Sequence, residues 1–115
     1  MSAILRKRLN TDDRLLLTGL ATVNLSTGAP SYLTGSATVT ATVLDHATQA
    51  AVTGDTFPII LTYITGSSGD FHGVIRESLA VDEFQRIDIR VVIDNGTDQK
   101  RTLVLPCIVV ADLGD

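Results

Sequence analysis

The chain has 115 residues, enough for one domain with a single core and too few for two. Apolar residues make up 44% of it, more than so small a domain can easily hide, so either both sheets are densely filled or some of the apolar surface meets a partner. A formal net charge of −4 argues against nucleic acid as the main ligand, because phosphates would be repelled. No apolar run approaches the roughly 20 residues that span a bilayer, and no secretory leader is visible, which predicts synthesis in a cytoplasm.

Alternation of apolar and polar residues with a period of two predicts strands along most of the chain. Residues 37–43 alternate Ala or Val with Thr, and residues 87–93 place Ile and Val on one side of the pleat against Asp and Arg. The runs 59–64 and 103–110 are apolar on both sides of the pleat. Weaker strands are predicted at residues 15–25 and 71–75.

The connections between these strands indicate antiparallel pairing. Asn95-Gly96 lies between two strong strand patterns and predicts a hairpin, because both residue types tolerate positive φ. Residues 66–70 predict a second turn, and residues 27–35 and 45–54 are predicted to be loops. Only residues 77–85 could hold a helical turn, with Ser78 as its N-cap. Six or seven short strands separated by turns predict an all-β sandwich or a small barrel.

The last predicted strand carries a constraint at Pro106, which cannot donate a hydrogen bond to a neighbouring strand. The strand therefore lies at a sheet edge there or carries a bulge. An edge strand that is apolar on both faces is normally covered. We expect a neighbouring subunit to cover it, with the chain's own N-terminal segment as the alternative.

These expectations divide the chain into a partner-contacting N-terminal arm, residues 1–12, and a sandwich domain, residues 13–115. The basic cluster of the arm and the apolar last strand form the predicted partner interface. Its residues are Ile4, Leu5, Arg6, Lys7, Arg8, Leu103, Leu105, Ile108 and Val110.

Residue types that could carry chemistry are few and scattered. Cys107 is the sole cysteine, which excludes an intrachain disulfide, and its apolar neighbours predict a buried, unreactive thiol. His46 and His72 lack cysteine partners and metal-ligand spacing. The acidic turn that begins at Asp94 would need a Glu eleven positions later to resemble a calcium loop, and Leu105 stands there. We predict no catalytic residue, no metal site and no cofactor.

Residues 37–73 contain five motifs in a fixed order. They are a strand of alternating Thr and Val that ends in Leu44-Asp45, the tripeptide 52–54, a strand led by Pro58 and ending in Tyr63, the Gly-Ser-Ser-Gly turn 66–69, and Phe71-His72-Gly73. This order resembles the small Ig-like domains encoded in tailed-phage structural gene clusters, near capsid and head–tail connector genes. The segments 13–17 and 27–33 fit as well, so the resemblance covers roughly residues 13–111. The Cys…Trp…Cys core of antibody domains is absent.

The resemblance implies an Ig-like antiparallel β-sandwich of about seven strands. It also implies a non-enzymatic structural protein of a phage virion, made in the bacterial host cytoplasm. This protein would decorate or cement the capsid, or act as a head–tail (neck) accessory. Its implied partners are the major capsid protein or neck and tail proteins, in a homo-oligomer or multi-copy assembly, with no nucleic acid and no membrane.

Two other functions stay open from the residues. The chain could be a carbohydrate- or cell-surface-binding Ig-like module of a tail or baseplate, using loops at one end of the sandwich. Tyr32, Phe57 and Phe71 are then the candidate aromatic contacts. An enzyme is the third interpretation, and it would need three convergent polar groups in a pocket.

Overall fold

The computed structural model describes residues 12–23, 26–96 and 99–110 and the backbone of Leu5–Arg8. Within these residues the chain forms strands and no helix, so no described helix could cross a membrane. The strands are β1 (Leu5–Arg8), β2 (Asp13–Leu17), β3 (Ala21–Val23), β4 (Pro30–Tyr32), β5 (Thr38–Asp45), β6 (Ile59–Tyr63), β7 (Phe71–Ile75), β8 (Arg86–Asp94) and β9 (Lys100–Val110).

Seven of these strands form one sheet in the order β1-β9-β8-β5-β6-β7-β2, and β3 and β4 form a separate two-stranded ribbon. Neighbouring strands are antiparallel except for β1, which runs parallel to β9. Strand β6 pairs with β5 through residues 59–61 and with β7 through Thr62 and Tyr63. It therefore passes from one half of the sheet to the other, and the sheet changes direction there.

The short connection between β1 and β2 shows that the sheet is rolled. These strands lie at opposite edges of the sheet, yet only residues 9–12 separate them in sequence. The five residue steps from Arg8 to Asp13 span at most about 18 Å. The two edges must therefore approach each other, which gives a half-barrel with one enclosed core. The predicted all-β, sandwich-like fold is confirmed.

The core is built from odd-numbered residues of the large sheet. Antiparallel registers such as Ala41 with Val91 and Ile89 with Leu105 keep odd positions opposite odd positions, so one face of every strand points inward. The most deeply buried of these residues are Val39, Ala41, Val43, Phe71, Ile87, Ile89, Val91 and Val109. Full burial of each larger side chain contributes about 1.5–3 kcal/mol, and this drives the sheet to close on itself.

Most predicted strands are confirmed, and two local predictions are wrong. Residues 27–35, predicted to be a loop, contain β4. All three residues of β4 are exposed, so the sequence shows no alternation of apolar and polar residues there. Residues 77–85 form turns instead of a helical turn. Leu79 is buried in the core and the Ala80 amide donates to the Thr53 carbonyl, so tertiary contacts outweigh the local signal at Ser78. The predicted strand at 15–25 is two strands, β2 and β3.

The edge at β9 agrees with the constraint from Pro106. Strand β1 pairs with β9 from Leu5↔Cys107 to Arg8↔Val110, and Pro106 lies one residue before this pairing, opposite Asp88 of β8. Residues 107–110 of β9 are thus covered by the chain's own N-terminal segment, the alternative considered for this strand. Strand β1 lies within residues 1–12, the predicted arm.

Candidate interaction surface

A polar cluster lies where β5 ends beside the start of β8. Asp88 is buried and accepts a hydrogen bond from Gln49 Nε2 at 2.8 Å and one from His46 Nδ1 at 2.9 Å. Asp45 accepts hydrogen bonds from the Thr48 amide and hydroxyl, both at 3.1 Å. The turn after β5 therefore folds back and covers the outer face of β8.

These hydrogen bonds set the charge state of the cluster. Donation from Gln49, and then from His46, holds the pKa of Asp88 below its usual value. The pKa of Asp45 is lowered in the same way, first by the side chain of Gln85 and then by Thr48. A general acid needs a raised pKa to hold its proton at neutral pH, so neither carboxyl is tuned for that role.

The other groups that could take part in chemistry lie apart from this cluster. Cys107 is buried in the core, as predicted, in register with Ile87. His72 is half-buried on the outer face of β7, in register with Leu16 of β2. Within the described ranges, no three His, Cys, Asp or Glu side chains come together as a metal site. We name Asp88, Gln49 and His46 the clasp, because their hydrogen bonds hold the turn after β5 against β8.

Three exposed aliphatic side chains lie on the outer face of the strands β6, β7 and β2. We name Leu16, Ile60 and Val74 the outer apolar face. On these two strands Val74 is in register with Arg14, and His72 is in register with Leu16. Val74 and Leu16 are therefore diagonal neighbours across β7 and β2. Ile60 is 73% exposed and lines the same groove as Val74. These apolar side chains alternate with Arg14 and His72 on the same face, and a group of exposed apolar residues marks contact sites more often than scattered single residues do.

The groove beside this face is open, with a volume of about 800 Å³. We name it the β6–β7 groove; its lining includes Pro58, Ile59, Ile60, Val74 and Arg76. Its wall depends on Gly54, which has φ +95° and whose missing Cβ would overlap the carbonyl oxygen of Ser78. Only glycine permits this close approach between the two loops.

A charged pair fixes the rim of the β6–β7 groove. The Asp55 side chain is 3% exposed and accepts hydrogen bonds from the backbone amides of Thr56 at 2.7 Å and Arg76 at 3.1 Å. The Arg76 Nε atom lies 3.8 Å from Asp55, yet the Arg76 side chain is 72% exposed. Asp55 therefore anchors the loop and pairs with Arg76, whose side chain extends into solvent at the edge of the groove.

The turn before β8 presents an exposed aromatic residue between the acidic residues and the strand. We name Asp82, Glu83 and Phe84 the acidic turn. Phe84 is 69% exposed and has φ +66°, a conformation that bulky residues rarely adopt. Its amide donates to the Val109 carbonyl at 2.7 Å, and the Asp82 amide donates to Gln85 Oε1 at 2.9 Å. The backbone is thus held at both ends while the ring stays in solvent.

The predicted interface residues have different placements. Leu103 and Leu105 are partly buried and pack against the protein's own core. Ile108 and Val110 lie on the opposite face of β9 and are also partly buried. Leu5, Arg6, Lys7 and Arg8 form β1, but their side chains, like all of Ile4, lie outside the described residues. An interface at the outer face of β9 and at β1 stays a prediction.

The three candidate aromatic residues for a ligand do not form one surface. Tyr32 is exposed on β4, and Phe57 packs partly against the core. Phe71 as a ligand contact is wrong, because its side chain is fully buried and packs on Tyr63 with ring centroids 5.5 Å apart. The strand pattern placed an aromatic at this position but did not show which face it occupied.

The sequence interpretation did not select the outer apolar face or the acidic turn. One signal was present, because the run 59–64 is apolar on both sides of the pleat and so predicts apolar side chains on an outer face. Nothing local distinguishes Phe84 from a core aromatic. No protein family model matches this chain, and no curated protein or solved structure is significantly similar to it.

Proposed function

We propose that the chain is a non-enzymatic structural protein of a phage virion, which acts through multivalent protein–protein contacts. Its place would be on the capsid as a decoration or cement protein, or at the head–tail neck. The observation that carries this proposal is the outer apolar face of Leu16, Ile60 and Val74, exposed on three adjacent strands beside an open groove.

The energetics of this face favour repeated contacts over one strong contact. Full burial of an exposed aliphatic side chain contributes about 1.5–3 kcal/mol, and Leu16 and Val74 contribute less because they are already half-buried, so the three residues only partly offset the cost of association. A single contact is therefore expected to be weak. Many copies bound to one particle gain effective concentration, so weak individual contacts become stable together.

The phage assignment is supported by the order of motifs in residues 37–73. In the fold, the Thr/Val strand is β5, the strand led by Pro58 is β6, and the Gly-Ser-Ser-Gly turn joins β6 to β7. The motifs thus belong to one continuous part of the sheet. The partners we propose are the major capsid protein or neck and tail proteins, together with other copies of this chain.

The alternative, a carbohydrate- or cell-surface-binding module of a tail or baseplate, has weaker support. Such modules commonly hold a ligand against exposed aromatic rings. Of the three aromatic candidates only Tyr32 is exposed, and Phe71 is fully buried. The exposed ring of Phe84 lies in the turn before β8, far in sequence from Tyr32 on β4.

Mass spectrometry of purified particles tests the proposed function, with copy number measured against the major capsid protein. Hundreds of copies would support capsid decoration, and about a dozen or fewer would support the neck or tail, since these follow the symmetry of the shell and of the tail axis. Absence of the protein from intact particles would overturn the virion assignment.

A further inference from the structure

The turn between β8 and β9 holds the one Asn-Gly pair of the chain, at Asn95 and Gly96. In such a pair the backbone nitrogen of the glycine can attack the side-chain carbonyl carbon of the asparagine, because the glycine has no side chain that blocks the approach. Whether a folded protein promotes this reaction depends on the groups around the two reacting atoms. We name the described residues of this turn the hairpin tip: Asp94, Asn95, Gly96 and Gln99.

The first feature of the hairpin tip is a carboxylate beside the attacking nitrogen. The Gly96 backbone amide donates a hydrogen bond to Asp94 Oδ1 at 2.8 Å. A general base must lie about 2.6–3.2 Å from the atom whose proton it takes, and Asp94 lies within that range. An amide nitrogen attacks only as its proton leaves, so Asp94 is placed to accept the proton that must leave Gly96.

The second feature is a backbone donor on the carbonyl group that is attacked. The Gln99 amide donates to Asn95 Oδ1 at 3.0 Å, and the Asn95 amide donates to the Gln99 carbonyl at 3.1 Å. A backbone N–H can only donate, so the side-chain oxygen of Asn95 faces Gln99, and Nδ2 lies on the other branch of the carboxamide. Negative charge develops on this oxygen during the attack, and a fixed N–H donor about 2.7–3.1 Å away stabilises that charge.

The hairpin tip is also open to solvent. Gly96 is exposed and Asn95 is partly exposed. The nearest described atom to a Cβ built at Gly96 is the Ser36 carbonyl oxygen, at 3.4 Å. Water can therefore reach the reacting atoms, and a small leaving group such as ammonia can diffuse away.

We propose that Asn95 is a self-modification site, at which the hairpin tip promotes the loss of the asparagine side-chain amide. The Gly96 nitrogen forms a bond to Cγ of Asn95 as its proton passes to Asp94. The bond from Cγ to Nδ2 then breaks, and Nδ2 takes that proton and leaves as ammonia, which produces a cyclic imide. Water opens the imide at Cγ to give aspartate, or at the backbone carbonyl to give isoaspartate. No atom is oxidised or reduced.

The products change the charge and the backbone of the hairpin tip. Either product adds one carboxylate to a chain whose formal net charge is −4. Isoaspartate also lengthens the backbone, because the chain then runs through Cβ and Cγ of the modified residue. Asn95 follows Asp94↔Lys100, the last pair in the register of β8 and β9. The extra length therefore falls in the turn, and the paired strands should stay intact.

Peptide mapping by mass spectrometry tests this site, with the full chain incubated at neutral pH in buffer and in concentrated guanidinium chloride. The folded and unfolded chains have the same Asn-Gly sequence, but only the folded chain holds Asp94 and Gln99 in place. Conversion of Asn95 should be about 100-fold faster in the folded chain, at the low end of what a positioned acid–base group contributes. Asn10 and Asn24, which precede Thr and Leu, are internal controls and should stay intact over the same period.

Asp94→Asn separates the base from a simple hydrogen-bond acceptor. The new side-chain oxygen can still accept the Gly96 N–H, but it cannot take up the proton, so the rate at Asn95 in the folded chain should fall by about 10- to 100-fold. Asp82→Asn is the matched control, because it removes the same charge from an exposed position before the other end of β8. This control should react like the wild type.

The proposal is overturned if Asn95 reacts no faster in the folded chain than in the unfolded chain, since the sequence alone would then account for the reaction. It is also overturned if Asp94→Asn leaves the folded-state rate unchanged. The reaction needs no partner, so neither result bears on the proposed function, which copy number on particles decides separately.

Discussion

The β8–β9 pair and the β6–β7 pair are both antiparallel neighbours in the same sheet. They differ in the length of their pairing and in how much of the outer face the rest of the chain covers. Strands β8 and β9 stay in register from Arg86↔Ile108 to Asp94↔Lys100, whereas β6 and β7 pair only at Thr62↔His72 and Tyr63↔Phe71. The outer face of β8 is covered at Asp88 by the turn after β5. The outer face of β6 has no such cover in the described structure, and Ile60 stands 73% exposed.

This difference separates residues that stabilise the fold from residues available for assembly. Apolar side chains on the inner face contribute to folding in both pairs. On the outer face, hydrogen bonds hold the turn after β5 over Asp88 of β8, whereas Ile60 of β6 and Val74 of β7 stand in water, as does Val104 of β9. We therefore expect substitutions in the first region to change stability, and substitutions at the outer apolar face to change association.

The largest expected effect is at the inner face of β8. Ile89→Ala removes a fully buried side chain and leaves a cavity, so the free energy of unfolding should fall by about 2–5 kcal/mol. Urea denaturation followed by circular dichroism measures this loss. A loss below about 1 kcal/mol would show that the core around β8 is less tightly packed than its burial indicates.

The next effect is at the wall of the β6–β7 groove. Gly54→Ala places a Cβ against the Ser78 carbonyl oxygen at a residue with φ +95°, so the free energy of unfolding should fall by about 2–3 kcal/mol. Gly66→Ala is the matched control, because Gly66 also has a positive φ but nothing within 4 Å of an added Cβ. Equal losses in the two variants would contradict a close approach between the loops.

A smaller effect, with a pH dependence, is expected at the clasp over β8. Hydrogen bonds from Gln49, and then from His46, lower the pKa of Asp88 in the folded protein. The stabilisation is therefore present above the unfolded-state pKa of about 3.9 and is lost as the pH falls through the folded-state value.

Asp88→Asn should accordingly cost about 1–2 kcal/mol at neutral pH, because two hydrogen bonds to a charged acceptor are weakened. The difference in free energy of unfolding between wild type and variant should shrink at pH values below the unfolded-state pKa. Urea denaturation at neutral pH and at acid pH provides the comparison, and a difference that stays constant with pH would contradict the role of the carboxylate.

The smallest effect on stability is expected at the outer apolar face. Ile60→Ala removes the same atoms as Ile89→Ala, but from a side chain that is 73% exposed, so the free energy of unfolding should change by less than about 0.5 kcal/mol. This pair of isoleucine variants measures the difference between the two faces directly. A large destabilisation by Ile60→Ala would place this residue in the core and remove it from the assembly surface.

Strands β5 and β8 and their inner faces could be predicted because a period of two is a local property. The alternation at residues 37–43 and 87–93 became β5 and β8, and the Asn95-Gly96 signal marked the hairpin between β8 and β9. The candidate site could not be predicted in the same way. Whether Ile60 is exposed depends on which strands and loops approach it from elsewhere in the chain.

The sequence by itself thus determined the class of fold and the inner faces of β5 and β8, since side-chain alternation sets both before any long-range contact forms. The tertiary structure alone decided the parallel pairing of β1 with β9, the exposed strand β4 and the turns at residues 77–85. It also decided which outer-face residues are buried in the two runs that are apolar on both sides of the pleat, 59–64 and 103–110. On the outer faces, Ile108 of β9 became partly buried, whereas Val104 of β9 and Ile60 of β6 stayed exposed, because outer-face burial depends on neighbours distant in sequence.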